Sequence, residues 1–146
     1  MSAALYNAEI LRLAAGIPHH ERLATPGATV EKRSPICGSR VTVDVTVDEH
    51  GRVTALGQKV NACALGQASA ALMGAEALGR TPDELAAARD ALTAFLNGER
   101  EDPGDWPGLH IFAPARPHTA RHASIRLAFE AVAEAAALAA AKAPVR

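Results

Sequence analysis

Aromatic residues are scarce in this chain of 146 residues: three Phe, one Tyr and one Trp, 3% of the total. A core built almost without them must be filled by Ala, Leu and Val. The 49% hydrophobic content is enough for one compact domain over residues 1–146. Neither sign of charge is in excess. A net charge of -1 and a pI near 6.6 exclude the basic face that nucleic acid or an anionic membrane surface would select. Long apolar runs are also missing. The Ala-rich stretch from Ala131 to Ala143 contains Glu134 and Lys142 and is too short to span a bilayer. No basic segment followed by an apolar run stands at the N-terminus, so a secretory signal is not expected and the protein reads as cytoplasmic. There is no phosphate-binding loop and no dinucleotide fingerprint. Ser69 and Ser124 have no His–acid partner at a nucleophile elbow, so a hydrolase has no motif behind it.

Cysteine is nearly absent too, with two residues, Cys37 and Cys63. That excludes a disulfide framework, and the lack of a C-x-x-C pair argues against thioredoxin-like redox chemistry. Two thiols in a reducing compartment are expected to be free, ligands or redox groups.

The pattern that is present reads as α+β. Residues Leu5 to Ala15 form an amphipathic helix ended by Gly16 and Pro18. A first strand covers Ala28 to Lys32. Val41, Val43, Val45 and Val47 alternate with Thr42, Asp44, Thr46 and Asp48, a half-buried strand of period two. Asp48 to Gly51 is a turn, and a third strand runs from Arg52 to about Val60, completing an antiparallel meander. Ala64 to Leu78 reads as a helix closed by Gly79. Thr81, Pro82 and Glu84 spell a capping box with Pro at the first helical position, and Gly98 stops the helix that follows. Glu99 to Pro117 reads as loop, in which Trp106 pins the segment to the body. A last helix runs from about Thr119 to Lys142. The predicted order is α-β-β-β-α-α-α, a small three-stranded antiparallel sheet packed against helices.

Both cysteines stand at breaks in this order. Cys37 precedes Gly38, where a backbone can approach a ligand closely. Cys63 stands at the mouth of a helix, whose unpaired N–H groups favour an anion. Their separation is no metal signature, and from spacing alone metal or sulfur chemistry and two inert buried thiols stand level.

Several pieces together resemble the IscU/SufU/NifU N-terminal family of iron–sulfur cluster assembly scaffolds. They are Leu5-Tyr6, Pro35-Ile36-Cys37-Gly38, Cys63-Ala64-Leu65 with Ala68-Ser69-Ala70, Gly79-Arg80-Thr81 and Phe95-Leu96-Asn97-Gly98. The resemblance covers nearly the whole chain and implies the family's fold. It also implies a carrier rather than an enzyme. Such a protein receives sulfur from a cysteine desulfurase, holds iron, zinc or a nascent cluster such as [2Fe–2S], and passes it to acceptor proteins.

The family's ligand set is three cysteines plus an Asp or His. Cys37 and Cys63 match the first two cysteines. Ser39 stands where the Asp is expected. The third cysteine is replaced by Ser124 in one register and by Ala123 in the other. A hydroxyl is a poor ligand for soft metals, and Ala offers none. His122, beside the lost cysteine in either register, is the candidate replacement ligand, ahead of His110 and His118. His19, His20 and His50 read as surface residues. Arg116, Arg121 and Arg126 form a local basic cluster, either a solvated helix face or a docking patch for an acidic partner. Two thiolates per chain also predict that a stable cluster would bridge two subunits in a homodimer, each giving Cys37 and Cys63. Two other readings follow from the missing ligands: a metal-free interaction module, or a relay that carries sulfur as a persulfide.

Overall fold

The alternating valines do form the central strand. In the computed structural model, which describes residues 5–36 and 38–142, three strands make one antiparallel sheet: β1 (Ala28–Arg33), β2 (Arg40–Val47) and β3 (Val53–Asn61). β2 lies in the middle, with Ala28 opposite Val45 on one side and Val45 opposite Leu56 on the other. Cys37 lies outside the described residues.

Four helices surround the sheet among the described residues: α1 (Ala8–Ala15), α2 (Ala64–Glu76), α3 (Pro82–Leu96) and α4 (His122–Lys142). Helix α4 packs on β1, β2, α2 and α3 at once. So many neighbours leave it buried on most sides, and its interior positions are accordingly Ala, with Ala131, Ala135 and Ala136 fully buried. Small side chains let the helix approach the sheet closely, where Val41, Val43 and Val45 meet it, and Phe95, Phe112 and Phe129 fill the space that alanines leave. No helix among the described residues is long and apolar enough to cross a membrane.

Local signals held where the chain chemistry was specific. The capping box is complete: the Thr81 hydroxyl accepts from the Glu84 N–H, and the Glu84 carboxylate accepts from the Thr81 N–H. Trp106 is buried, donates its indole N–H to the Leu72 carbonyl at 2.8 Å and meets Phe129 edge-on. The helix read over Leu5 to Ala15 is not continuous: α1 begins at Ala8, because the Asn7 side chain accepts from the Ile10 N–H and caps it there. The segment read as loop holds a 3-10 turn, Leu109–Ala115, and a second one, Thr119–Arg121, precedes α4.

The second face of the sheet is closed by the segment after α1. Asp44 is fully buried and accepts from Arg22 at 2.7 and 3.0 Å, from the Leu23 N–H at 3.0 Å and from the Thr29 hydroxyl. Burial pushes this carboxyl up, but those hydrogen bonds outweigh it and hold the group below its ordinary value. Opposite Asp44 stands Gly57. A side chain there would collide with the Glu21 carbonyl, so the glycine lets the segment lie flat on β3.

Candidate functional site

At one end of the molecule three polar side chains from distant parts of the chain converge. Cys63 is the N-cap of α2, with extended backbone (φ -67, ψ 171) and no side-chain capping bond. The first-turn N–H groups of α2 therefore end at the thiol without a competing oxygen from it. Ser124 lies in the first turn of α4, and its Oγ stands 3.3 Å from Cys63 Sγ. Ser39, just before β2, places its Oγ 3.1 Å from Ser124 Oγ. Both serines are buried, while Cys63 is half-buried. The result is a short chain of hydrogen-bonding groups, hydroxyl to hydroxyl to sulfur, that ends on a partly accessible thiol.

Two features of α2 hold this arrangement. The Ser69 hydroxyl donates to the Ile125 carbonyl at 2.6 Å, tying α2 to the first turn of α4. Gly66 leaves the space that Ser124 occupies: a Cβ there would lie 2.6 Å from Ser124 Oγ and 2.7 Å from Ala62 Cβ. The β1–β2 loop is closed at its base by the Ser34 N–H on the Ser39 carbonyl at 2.8 Å, and Gly38 turns it with a φ of +73.

His122 is buried with its Nε2 at 3.0 Å from the carbonyls of both Ala115 and Arg116. A carbonyl only accepts, so Nε2 carries the proton and is spent on holding the end of the Leu109–Ala115 turn. Ala123 brings no polar atom, so of the two registers it is Ser124 that touches Cys63. His110 and His118 are exposed. The basic cluster is divided. Arg116 donates to the carbonyls of Phe95 and Arg100 and lies over the Phe95 ring, Arg126 pairs with Glu130, and Arg121 is exposed.

Among the described residues no three His, Cys, Asp or Glu side chains gather in a way that would hold a metal ion. The described groups alone, one thiol and two hydroxyls, do not make up a set for tetrahedral zinc or an iron–sulfur cluster, both of which select thiolate or imidazole; Cys37 is not among them. Gly66 is the site residue that the sequence did not single out, while Ser39 was marked only as a lost ligand position. The signal for Ser39 was its place where an Asp was expected; Gly66 carried none.

The chain aligns with the crystal structure of a nitrogen-fixing NifU-like protein (N-terminal) from Brucella abortus at 39% identity, over 97% of this chain and 98% of that one, with a TM-score of 0.90. The chain belongs to the IscU/SufU/NifU N-terminal family. Two more solved structures share the family fold. One is a putative iron–sulfur cluster assembly scaffold protein for the SUF system from Fervidobacterium islandicum, 18% identical with a TM-score of 0.84 over 93% of this chain and 99% of that one. The other is a hypothetical protein, 24% identical with a TM-score of 0.80 over 92% and 98%. No family model matches the sequence, and no curated protein does. Within the IscU/SufU/NifU N-terminal family, the α+β meander with α4 across it is the expected architecture.

Proposed function

We propose that this protein works in iron–sulfur cluster assembly as a scaffold-type carrier, with Cys37 and Cys63 as the residues that hold its cargo transiently. A cysteine desulfurase would supply the sulfur, and cluster acceptor proteins would receive what is carried. The observation that carries the reading is the placement of Cys63: a partly accessible thiol at the open N-terminus of α2, touched by Ser124, one of the two residues in line for the family's third cysteine. Iron, sulfide or a cluster is substrate in this reading. If Ser124 lent its oxygen, the set would still be weak for soft metal. His122 would have to give up its carbonyl contacts to serve.

A second reading has its own observation in favour, the replacement of ligands by hydroxyls around the thiol. Cys63 would then take sulfur without metal. Its thiolate attacks the terminal sulfur of a donor persulfide, a new S–S bond forms, the old one breaks, and the donor leaves as thiolate with the electron pair. Ser39 and Ser124 suit this step because a hydroxyl donates to thiolate and perthiolate alike.

One experiment separates the two. Protein purified without oxygen is assayed for iron, zinc and acid-labile sulfide, then incubated with a cysteine desulfurase and cysteine and examined by mass spectrometry. Iron with sulfide supports the carrier of a cluster, and sedimentation then shows whether loading pairs two subunits. One extra sulfur on Cys63 without metal supports the relay. Neither metal nor added sulfur refutes both and leaves an interaction module.

A further inference from the structure

The open end of the sheet carries a charge arrangement that the thiol site does not explain. Arg33 of β1 lies directly opposite Arg40 of β2, and Arg40 lies opposite Asn61 of β3. Residues directly opposed in antiparallel strands point to the same side of the sheet, and like charges placed so repel. One carboxylate answers them. Glu31 Oε2 lies 2.7 Å from Arg33 Nε. That bond, against the opposing effect of partial burial, holds the Glu31 carboxyl below its ordinary value, and Arg40 adds a weaker pull. Arg40 forms no ion pair of its own among the described residues. Positive charge is therefore left over at this row, and it borders a cavity of about 360 Å³ lined by both arginines, Asn61, Ser34, Gly38 and Ser39. A Cβ built at Gly38 meets nothing within 4 Å apart from its chain neighbours.

The cavity and the thiol site share a residue. Ser39 lines the one and, through Ser124, reaches Cys63 in the other. We propose that this cavity is an anion subsite which takes the carboxylate of a small thiol and so holds an external sulfur beside Cys63. Three points of chemistry converge on that ligand. A guanidinium fork matches a carboxylate with two parallel hydrogen bonds, and the Asn61 amide adds a donor. The volume suits a small peptide-sized molecule rather than a bare ion. Beside the cavity stands a sulfur-handling site for which the chain offers two thiols at most, Cys37 and Cys63, short of the sulfur that its cargo selects. The anion subsite stands on the arginine row alone; the purpose of the ligand's sulfur rests on the function proposed above.

The probe is reduced glutathione, titrated calorimetrically into the full chain at low salt. Saturable binding is expected, equal for S-methylglutathione, lost for glutathione diethyl ester, and about tenfold weaker or more in Arg40→Gln. Without ligand, Arg40→Gln should melt no lower than wild type, because it removes one of two opposed charges; this separates lost binding from lost folding. Proximity to the thiol is read with glutathione disulfide on a Cys37→Ser background. The Cys63 thiolate attacks one sulfur, the S–S bond breaks, and the other half leaves as thiolate. The mixed disulfide should form about tenfold faster than with uncharged hydroxyethyl disulfide, and Arg40→Gln should erase that preference. Binding that tolerates Arg40→Gln or the diethyl ester overturns the subsite. A short acidic peptide that binds tenfold tighter than glutathione overturns the small thiol in favour of a protein partner. Titrations repeated on Cys63→Ser read the subsite by itself, so its success or failure does not depend on whether Cys63 carries sulfur.

Discussion

Gly66→Ala tests the close approach on which the serine–cysteine contact depends. Two effects oppose each other. Ala is the better helix former, and the exchange should favour the folded state by about 1 kcal/mol in an unhindered helix. Here, however, the new Cβ would stand 2.6 Å from Ser124 Oγ, 2.7 Å from Ala62 Cβ and 3.1 Å from the Ser124 carbonyl. The neighbours are poorly able to yield. Ser124 is tied to Ser39 and Cys63, and the next residue's carbonyl is held by Ser69. Overpacking costs about 1–3 kcal/mol, and three contacts this short put it at about 2–3 kcal/mol, so after the helix gain the net loss is about 1–2 kcal/mol. At about 2–4 °C per kcal/mol for a chain of this size, the melting temperature falls by about 2–8 °C. Circular dichroism melts beside Gly16→Ala provide the control. At Gly16 the nearest atom is 3.8 Å away and φ is an ordinary -126, and no comparable fall is expected. Displacing Ser124 should also change the alkylation rate of Cys63. A Gly66→Ala protein that melts at or above wild type, with Cys63 alkylated at the same rate, would refute the argument.

Three further outcomes are expected. Asp44→Asn should cost about 2–4 kcal/mol, at the lower end because Arg22 is half-exposed. The folded-state Asp44 carboxyl is depressed, so its contribution is present above the unfolded value of about 3.9 and is lost as pH falls through the folded value. Melts between neutral and acid pH should show the two proteins converging below that window, and a gap independent of pH would contradict it. Ser124→Cys should tighten zinc binding about tenfold or more against a chromogenic chelator, while Ala123→Cys should not; the reverse order would mean that Ala123 holds the ligand position. Trp106→Phe should lose about 1–2 kcal/mol in urea unfolding, since it orphans the Leu72 carbonyl and puts a smaller, weaker ring under Arg80.

The elements were legible where local chemistry decides them. Alternation at Val41, Val43 and Val45 has only one way to bury an apolar face, and Thr81, Pro82 and Glu84 satisfy a helix end with their own side chains. The 3-10 segment at Leu109–Ala115 left no such mark, because seven residues at about three per turn in a Pro- and Gly-rich stretch are too few to show a period. At the site, the resemblance set Ser39 and Cys63 in one ligand set, but only the fold shows that Ser124, not Ala123, touches Cys63. His122 illustrates the limit of adjacency. Two residues apart on a helix means roughly opposite sides, so while Ser124 turns to Cys63, the His122 ring turns to the carbonyls of Ala115 and Arg116. The opposition of Arg33 and Arg40 likewise follows from where the β1–β2 loop closes, which no spacing rule supplies.

The contacts that make the site are long in sequence: Ser39 to Ser124 spans 85 residues and Cys63 to Ser124 spans 61. Closing such distances is entropically slow, and nothing in α2 by itself reproduces the environment of the thiol. During synthesis the N-terminal part emerges first, so Cys63 is made and exposed well before α4 exists to lay its hydroxyl beside it. The thiol therefore acquires its serine neighbours only when the last helix docks. An unfinished or partly unfolded chain carries an ordinary cysteine, and the arrangement at the tip is itself a record that folding has run to its end.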